Sequence, residues 1–455
     1  MTTRSDDDLP CSHPRPTRRE VLAAAAAFAA SPRASVADDL DGHVLKSQPL
    51  PEPKIVFPTD ALPLPERDGP PRRVAAVTTA YFRYSHADDI ITKFLEGYAV
   101  VGRTHKPHCR VVSLYVEQAP ATDIGRPLAA RYGVPVFDTP ADALTLGTDR
   151  LAVDGVLVIA EHGDYPINAK GQQLYPRRRL LDDVFGVFHK SGRSVPVYTD
   201  KHLSYSWEFA WRIYDEAKGL KVPLMAGSSV PVAWRRPALA FKQGIPLDAA
   251  LAVGFSGVEV YGFHTLELLQ AFVEKRRGGE TGIASVRCLE GDAAWDAAAK
   301  GLWRTDLLLA ALKTIPAVAP RAASFSSDAD LRRADPRAVV FLVEYRDGFR
   351  GAAYLSRGLA DEFAFAASVR GRAEPVATWC ELNKPQRDHF SFLCNHIEVM
   401  FRTGRPSYPV ERTLLVTGAL AALVDSHAGG GLAVPTPHLA ELGYTPAAEF
   451  AMSKG

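Results

Sequence analysis

A doubly wound α/β domain followed by an α+β domain is the architecture this 455-residue sequence predicts. Three observations carry that expectation. Between residues 73 and 240, short apolar runs alternate with amphipathic segments, the pattern of strand–helix–strand units around a parallel sheet. After residue 240, extended stretches follow one another, and two of them flank Arg346-Asp347-Gly348, a hairpin signal. The composition, 47% hydrophobic and 23% charged, is that of a globular chain and excludes wholesale disorder.

Residues 1–37 read as an address rather than a fold. A polar, basic stretch ends in Arg18-Arg19, ten apolar residues follow over 21–30, and small residues around Ala34 and Ala37 form a cleavage site. The paired arginines before Val21-Leu22 are similar to a twin-arginine export signal, which implies a periplasmic or other extracytoplasmic destination. The apolar run is half of what a bilayer span needs, about 20 residues. Removing this segment takes five basic and four acidic side chains and leaves the chain charge-balanced. Residues 38–72 form a linker or arm, with eight prolines between Pro49 and Pro71 that remove backbone donors and favour extended chain.

Residues 73–240 make up the first domain. Residues 74–79 form a buried strand. Ser85, with Asp88 three residues on, opens a helix through Ile90, Ile91, Phe94 and Leu95. Residues 110–116 are the second strand, 123–132 a helix stopped by Gly133, and 134–137 a short extended piece. Residues 155–160 are wholly apolar, a strand buried on both faces, and the helix after it carries Leu181, Val184, Phe185 and Phe188 on one side. Strands at 195–198 and 222–225 enclose a helix over 206–218. Residues 241–455 make up the second domain. Its strands fall at 337–345, 351–355, 362–370 and 375–382, forming an open antiparallel sheet, and its helices at 386–403 and 409–425.

Charge and cysteine content exclude several function classes. With 53 basic against 52 acidic side chains there is no basic excess to neutralise a nucleic-acid backbone. Five widely spaced cysteines, without a C-x-x-C pair, give neither a disulfide scaffold nor a structural zinc site, and leave any pairing open.

In doubly wound folds, ligands sit at the carboxyl ends of the strands. That rule selects Lys201, at the end of the 195–198 strand, beside Asp200 and His202. It also selects Glu161, His162 and Asp164, which open an unusually long loop over 166–176. Two histidines and several carboxylates converging there suit acid–base work, a polar substrate lining or a divalent metal. Arg177-Arg178-Arg179 start a helix, where the macrodipole disfavours cations, so they point to a bound anion or to a solvated face. His105, His108 and Cys109 precede the second strand, at the sheet end away from the crevice. His389 and His396 lie among Phe390, Phe392 and Leu393, as core packing would place them.

Four local patterns resemble the glucose–fructose oxidoreductase / inositol dehydrogenase / MocA (Gfo/Idh/MocA) family over residues 73 to about 447. Residues 130–138 resemble its approach to the third strand. Tyr198-Thr-Asp-Lys-His202 stands where the family has a strand-end Glu-Lys-Pro. Gly262-Phe-His264-Thr-Leu-Glu267 resembles its Gly-x-His-x-x-Asp helix. Tyr408-Pro-Val through Ser426, then Thr436-Pro437, resembles its C-terminal helix and tail. The resemblance implies a Rossmann-like first domain and an NAD(P)-dependent oxidoreductase acting on a sugar or polyol. It implies Lys201 and His264 as the catalytic pair, and Thr78, Thr79, Ala80, Arg83 and Glu117 around the cofactor. The strand-end rule puts Glu161, His162, Asp164, Asp200 and His202 along the substrate, with Glu259 beside the position of the family's Asp, and the resemblance implies a sheet-face homo-oligomer. The departures are specific: no glycine lies in Thr78-Thr79-Ala80-Tyr81-Phe82-Arg83, where the family has G-x-G-x-x-G, and Val260 with Glu259 stands for its Asp. Two other readings of the same residues are a nicotinamide-independent sugar lyase, hydrolase or isomerase, metal-assisted or not, and a carbohydrate-binding protein without catalysis.

Overall fold

The structure is a computed structural model that describes residues 69–100, 103–382 and 387–447. The export signal and nearly all of the proline-rich arm lie outside the described residues.

In chain order, β1 (Arg72–Ala80) leads through a π-helical turn, Asp88–Thr92, into α1 (Lys93–Glu96). A small hairpin, β2 (Tyr98–Val100) and β3 (Arg103–His105), precedes β4 (Cys109–Gln118). Then come α2 (Gly125–Tyr132), β5 (Val136–Phe137), α3 (Pro140–Thr145), β6 (Gly155–Ile159), α4 (Arg177–Ser191), β7 (Val197–Asp200), α5 (Trp207–Gly219) and β8 (Leu224–Gly227). The six longer-range strands pair in the order β5-β4-β1-β6-β7-β8, all parallel. This is the doubly wound sheet that the alternating pattern predicts, with its strand order reversing beside β1. Each strand is within a few residues of its predicted place, because apolar runs such as 155–159, buried throughout, have no other way to hide both faces.

The second half continues with β9 (Trp234–Arg236), β10 (Leu247–Phe255), α6 (Val260–Val273) and β11 (Ile283–Glu290). Four short helices follow, α7 (Asp292–Ala299), α8 (Thr305–Leu312), α9 (Ala319–Ala322) and α10 (Asp328–Ala334). The strands β12 (Val339–Tyr345), β13 (Arg350–Ser356), β14 (Phe363–Val369) and β15 (Val376–Glu381) come next, then α11 (Asp388–Thr403), α12 (Val410–Ala428) and β16 (Val434–Pro435). The eight-stranded sheet runs β16-β11-β12-β13-β10-β14-β15-β9 and is antiparallel except for the β10–β13 pair. The hairpin turn at Arg346-Asp347-Gly348 joins β12 to β13 as predicted.

Three hydrophobic clusters tie these layers together. One joins α3, α4 and α5 beneath the first sheet to the face of the second sheet that packs on α6 and α12. Another covers the opposite face of the first sheet: Val74, Ala76 and Leu157 pack with Ile90 and Ile91, and with Phe392, Ile397 and Met400 of α11. A helix from the C-terminal part of the sequence is thus built into the first domain. The third cluster lies on the outer face of the second sheet. Val340, Leu342 and Tyr354 are buried there under Trp295, Trp303, Leu307 and Leu308 from α7, α8 and the segment between them. Sheet-face pairing with a second copy, which the family resemblance implies, finds that face already covered by the same chain.

Cys109, Cys288, Cys380 and Cys394 are buried free thiols, and burial pushes their pKa values up, to about 12 for Cys288 and Cys380. Among the described residues no helix is long and apolar enough to cross a membrane.

Candidate active site

Lys201 follows β7 directly and His264 sits one turn into α6, so the first sheet's carboxyl edge and the second domain each contribute one member of a pair. The lysine Nζ is 2.6 Å from His264 Nε2 and 3.4 Å from Glu161 Oε1. An ammonium has only donors, so His264 Nε2 accepts, and the ring's Nδ1–H donates to Ser228 Oγ at 2.6 Å. Burial, then the facing Lys201 charge, hold the His264 pKa well below the ordinary imidazole value, so the ring is neutral near pH 7. Both side chains are buried, at 2% and 8% exposure.

Glu161 is the counter-charge. Burial alone pushes a carboxyl's pKa up. Here Lys201 and Arg177 overturn that effect and hold the group well below the usual carboxylate range. Its second oxygen accepts from Arg177 Nη2 at 2.5 Å. Arg177 is therefore neither solvated nor anion-binding: it is fully buried against Glu161, and its Nη1 lies 3.5 Å from His202 Nε2. Burial and then Arg177 keep His202 neutral, with a pKa well below its ordinary value. Arg178 pairs with Asp182 and lies over the Phe209 ring, while Arg179 pairs with Glu117, so internal partners account for the whole arginine run.

A cavity of about 440 Å³ opens beside this pair, lined among others by His86, Glu161, His162, Lys201, His264 and His389. Phe255, Tyr261, Phe363 and Phe390 supply aromatic walls. Four lining residues hold left-handed backbone: Tyr84 at φ 66°, His162 at 71°, Lys201 at 67° and Arg387 at 54°. Non-glycine residues rarely adopt such angles, and they cluster where a side chain must be aimed against local preference. His162 Nε2 is buried without a hydrogen-bond partner, and burial lowers the ring's pKa to about 4. Gly227 ends β8 behind the pair at φ 118°. A Cβ there would stand 2.7 Å from both Glu267 Oε2 and Thr413 Oγ1, so only glycine leaves room for the buried Glu267 carboxyl.

Of the residues predicted for the substrate, Glu161 and His162 line the cavity and the other four do not. Asp200 turns its carboxylate to His86 Nδ1, 2.6 Å away. His202 lies behind Glu161, against Arg177 and 3.8 Å from Glu259. Glu259 accepts from the Gln173 backbone N–H at 3.1 Å and anchors the long loop. Asp164 is exposed and uses only its backbone, which pairs with Gln118. The left-handed backbone of Lys201, at φ 67° just past β7, accounts for the split there. Lys201 turns its side chain into the cavity, and its neighbours on either side point elsewhere.

His86 and His389 complete the lining and were missed by the sequence reading. His86 was read only as part of a helix start, although the strand-end rule, applied to β1, would have found it. His389 was read as core. It is buried and its Nδ1 lies 2.9 Å from the Leu382 carbonyl, yet one ring edge lines the cavity. His105 and His108 lie at the opposite sheet end, bound to Glu398 and to the Gly69 carbonyl. Among the described residues, no group of three or more His, Cys, Asp or Glu side chains is arranged to hold a metal ion.

No family model matches this chain, and no curated protein matches it. Solved structures do. An apo scyllo-inositol dehydrogenase from Lactobacillus casei superposes with a TM-score of 0.50 at 11% identity, covering 80% of this chain and 98% of that one. The fold is that of an inositol dehydrogenase. GenD2 from gentamicin A biosynthesis, in complex with NAD, matches with a TM-score of 0.49 and 15% identity over 81% of this chain and 97% of that one. The Lactobacillus casei scyllo-inositol dehydrogenase with bound NAD(H) and scyllo-inositol matches with a TM-score of 0.49 and 10% identity over 80% and 98%. The fold that the Gfo/Idh/MocA resemblance implied is therefore the one observed.

An inositol-dehydrogenase fold raises the question of whether this chain's residues fit a dinucleotide over β1. Such a cradle needs free backbone N–H groups at a helix start and a close approach to the backbone. Here three of the donors, those of Phe82, Tyr84 and Ser85, are already used. Phe82 N–H donates to Ser85 Oγ at 3.2 Å, Tyr84 N–H to Asp88 Oδ2 at 2.9 Å, and Ser85 N–H to the Phe82 carbonyl at 3.0 Å. Asp88 and Asp89 place negative charge in the first turn, where a pyrophosphate would have to lie. Thr78, Thr79 and Ala80 are buried, and Thr79 Oγ1 lies 3.0 Å and 2.9 Å from the Glu161 and His162 carbonyls, which draws the long loop across the strand end. At β4 the Gln118 side chain and the Asp164 backbone bond each other twice, at 2.8 and 3.1 Å. Both Glu117 oxygens accept from Arg179 at 2.6 Å. Arg83 is exposed, 3.9 Å from Asp88. Thr79 and Glu117 are thus taken up by the long loop and by α4, and this edge does not fit a dinucleotide pyrophosphate.

Proposed function

We propose that this chain is an enzyme of the sugar and polyol oxidoreductase lineage, in which Lys201 and His264 move a proton at one oxygen-bearing carbon of a sugar or polyol. The single observation behind this is the 2.6 Å contact between Lys201 Nζ and a neutral His264 on the wall of a cavity. The ammonium can donate to a substrate oxygen, and the neutral His264 ring holds it in place by accepting at Nε2. The aromatic walls suit the C–H faces of a sugar ring, and the polar groups between them suit its hydroxyls.

The oxidoreductase reading is supported by the fold, which an apo scyllo-inositol dehydrogenase shares. It needs a hydride acceptor, for which NAD(P) is the candidate its lineage offers. The nicotinamide-independent reading is favoured by a specific observation, the self-bonded edge at β1 and β4. Both readings share the proton step, and Lys201→Met tests it. With a panel of inositols and hexoses, the wild-type chain is expected to show a ligand-dependent rise in melting temperature. The variant is expected to lose turnover by at least about 10²-fold. Turnover that survives the substitution defeats the proposal.

Export by the twin-arginine route belongs to the same proposal and rests on Arg18-Arg19 and the apolar run after them. Arg18→Lys with Arg19→Lys should retain the uncleaved precursor in the cytoplasm, and processing that is unchanged would refute it. Any homo-oligomer would have to use a surface other than the covered outer face of the second sheet.

A further inference from the structure

We propose that His86, held by Asp200, is the general base of this cavity. On this view the chemistry is proton transfer at the carbon next to a sugar carbonyl, without a nicotinamide. This deepens the sugar reading above and rests on it.

His86 lies just past the β1 turn, beside the edge that a dinucleotide would need, immediately before the π-helical turn Asp88–Thr92. Single π-turns inside helices are frequent at functional sites, because the wider turn redirects the side chains beside it. The Asp200 carboxylate, 2.6 Å from Nδ1, can only accept, so Nδ1 carries the hydrogen and the lone pair of the ring's base form falls at Nε2. That atom has no hydrogen-bond partner among the described residues, and the ring is a cavity wall. A buried carboxylate behind an imidazole fixes both its tautomer and its orientation and stabilises the cation formed when it takes a proton. His86 stands 6.2 Å, ring to ring, from His264, so base and ammonium face the same space.

The step balances without an oxidant. His86 Nε2 takes the proton from the carbon beside a carbonyl. The C–H electron pair becomes the C=C bond of an enolate, and the carbonyl pair moves to oxygen, which the Lys201 ammonium holds by hydrogen bonding. Return of a proton from the His86 imidazolium to the same face of the carbon restores the substrate, carrying deuterium when the imidazolium has exchanged with D2O. The filled β1/β4 edge is what a redox-neutral site would show, since nothing has to be carried in to accept a hydride.

The test uses the mature chain with 2-keto-myo-inositol, D-fructose and D-glucuronate. Thermal shift identifies which of them bind, and proton NMR in D2O follows loss of a carbon-bound proton with no nicotinamide added. At least one bound sugar is expected to exchange, and His86→Asn to slow exchange by about 10²-fold while keeping the ligand-induced shift. Added imidazole should partly restore the rate in His86→Gly. Asp200→Asn, a change in the positioning residue, should lower kcat with KM held. Exchange that is unchanged in His86→Asn, or that requires NAD+, overturns the inference and leaves the sugar reading standing. If none of the three sugars binds, the sugar reading itself fails and this inference falls with it.

Discussion

Lys201, at the β7 end of the first sheet, and His264, facing it from α6, border open space, and His162 Nε2 nearby is buried without a hydrogen-bond partner. Glu117 and Gln118, at the β4 end of the same edge, are closed off by Arg179 and the Asp164 backbone. Both ends obey the rule that polar side chains gather where parallel strands stop. They differ in what the loop over 161–176 does to them. At β6 and β7 it delivers Glu161 and His162 to a cavity wall, and at β1 and β4 it supplies the missing hydrogen-bond partners itself. A strand end by itself marks where chemistry can be placed, and the neighbouring loop decides whether room is left for a ligand.

The sharpest way to break this contrast is to remove the charge that α4 sets against Glu161 at the open end. Arg177→Met leaves Glu161 buried with Lys201 alone, and should destabilise the chain by about 3–5 kcal/mol in urea unfolding, the cost of breaking a buried ion pair on one side. A loss below about 1 kcal/mol would show that the pair is solvated.

Acid should also act through the buried histidines. Burial lowers the pKa of His162 to about 4, of His389 to about 3 and of His396 to about 4. A depressed histidine pKa means that the unfolded chain takes up protons before the folded one does. Stability is then full above the ordinary value near 6.5 and falls as pH drops below it. At pH 5 the loss is at most ~2 kcal/mol for each of the three rings. A melting temperature flat from pH 7 to 5 would contradict their burial.

How much of this was legible in the sequence divides along the same contrast. Lys201 could be placed from sequence because an apolar strand followed at once by Asp-Lys-His leaves little choice about where the lysine emerges. The strands of the first sheet and β12 to β15 of the second were legible for a similar reason, since runs such as 155–159 and the turn at Arg346-Asp347-Gly348 are local signals, whereas β9, β10, β11 and β16 were not predicted. The closed β1/β4 edge was not, because its bonds join residues 46 to 83 positions apart, as with Gln118 and Asp164 or Thr79 and His162. The helices α7–α10 were passed over too, because stretches of four to eight residues carry little periodicity.

Glu267, behind the pair, carries a smaller effect of the opposite sign. Burial raises its pKa to about 7, with Arg412 only partly opposing. Below about pH 4.5 the group is protonated in both states. As pH rises towards 7, the unfolded chain releases its proton first, so stability declines. Glu267→Gln should therefore be more stable than wild type at pH 8, by up to about 3 kcal/mol, and nearly equal to it at pH 5. Equal stabilities at pH 8 would mean that the carboxylate is tolerated where it lies. The smallest effect belongs to the closed end. Glu117→Gln should cost less than about 1 kcal/mol, because its Arg179 partner is nearly half exposed. A larger loss would show that this ion pair, rather than the backbone bonds of the loop, holds the edge shut.

The four helices laid over the outer side of the eight-stranded sheet carry a consequence of their own. A cover borrowed from another molecule comes off on dilution, because its attachment competes with the freedom of two separate bodies. Here the cover is tethered at both ends by the strands it shields, so its local concentration is set by chain length and not by how much protein is present. Val340, Leu342 and Tyr354 stay dry at any dilution the folded chain can reach.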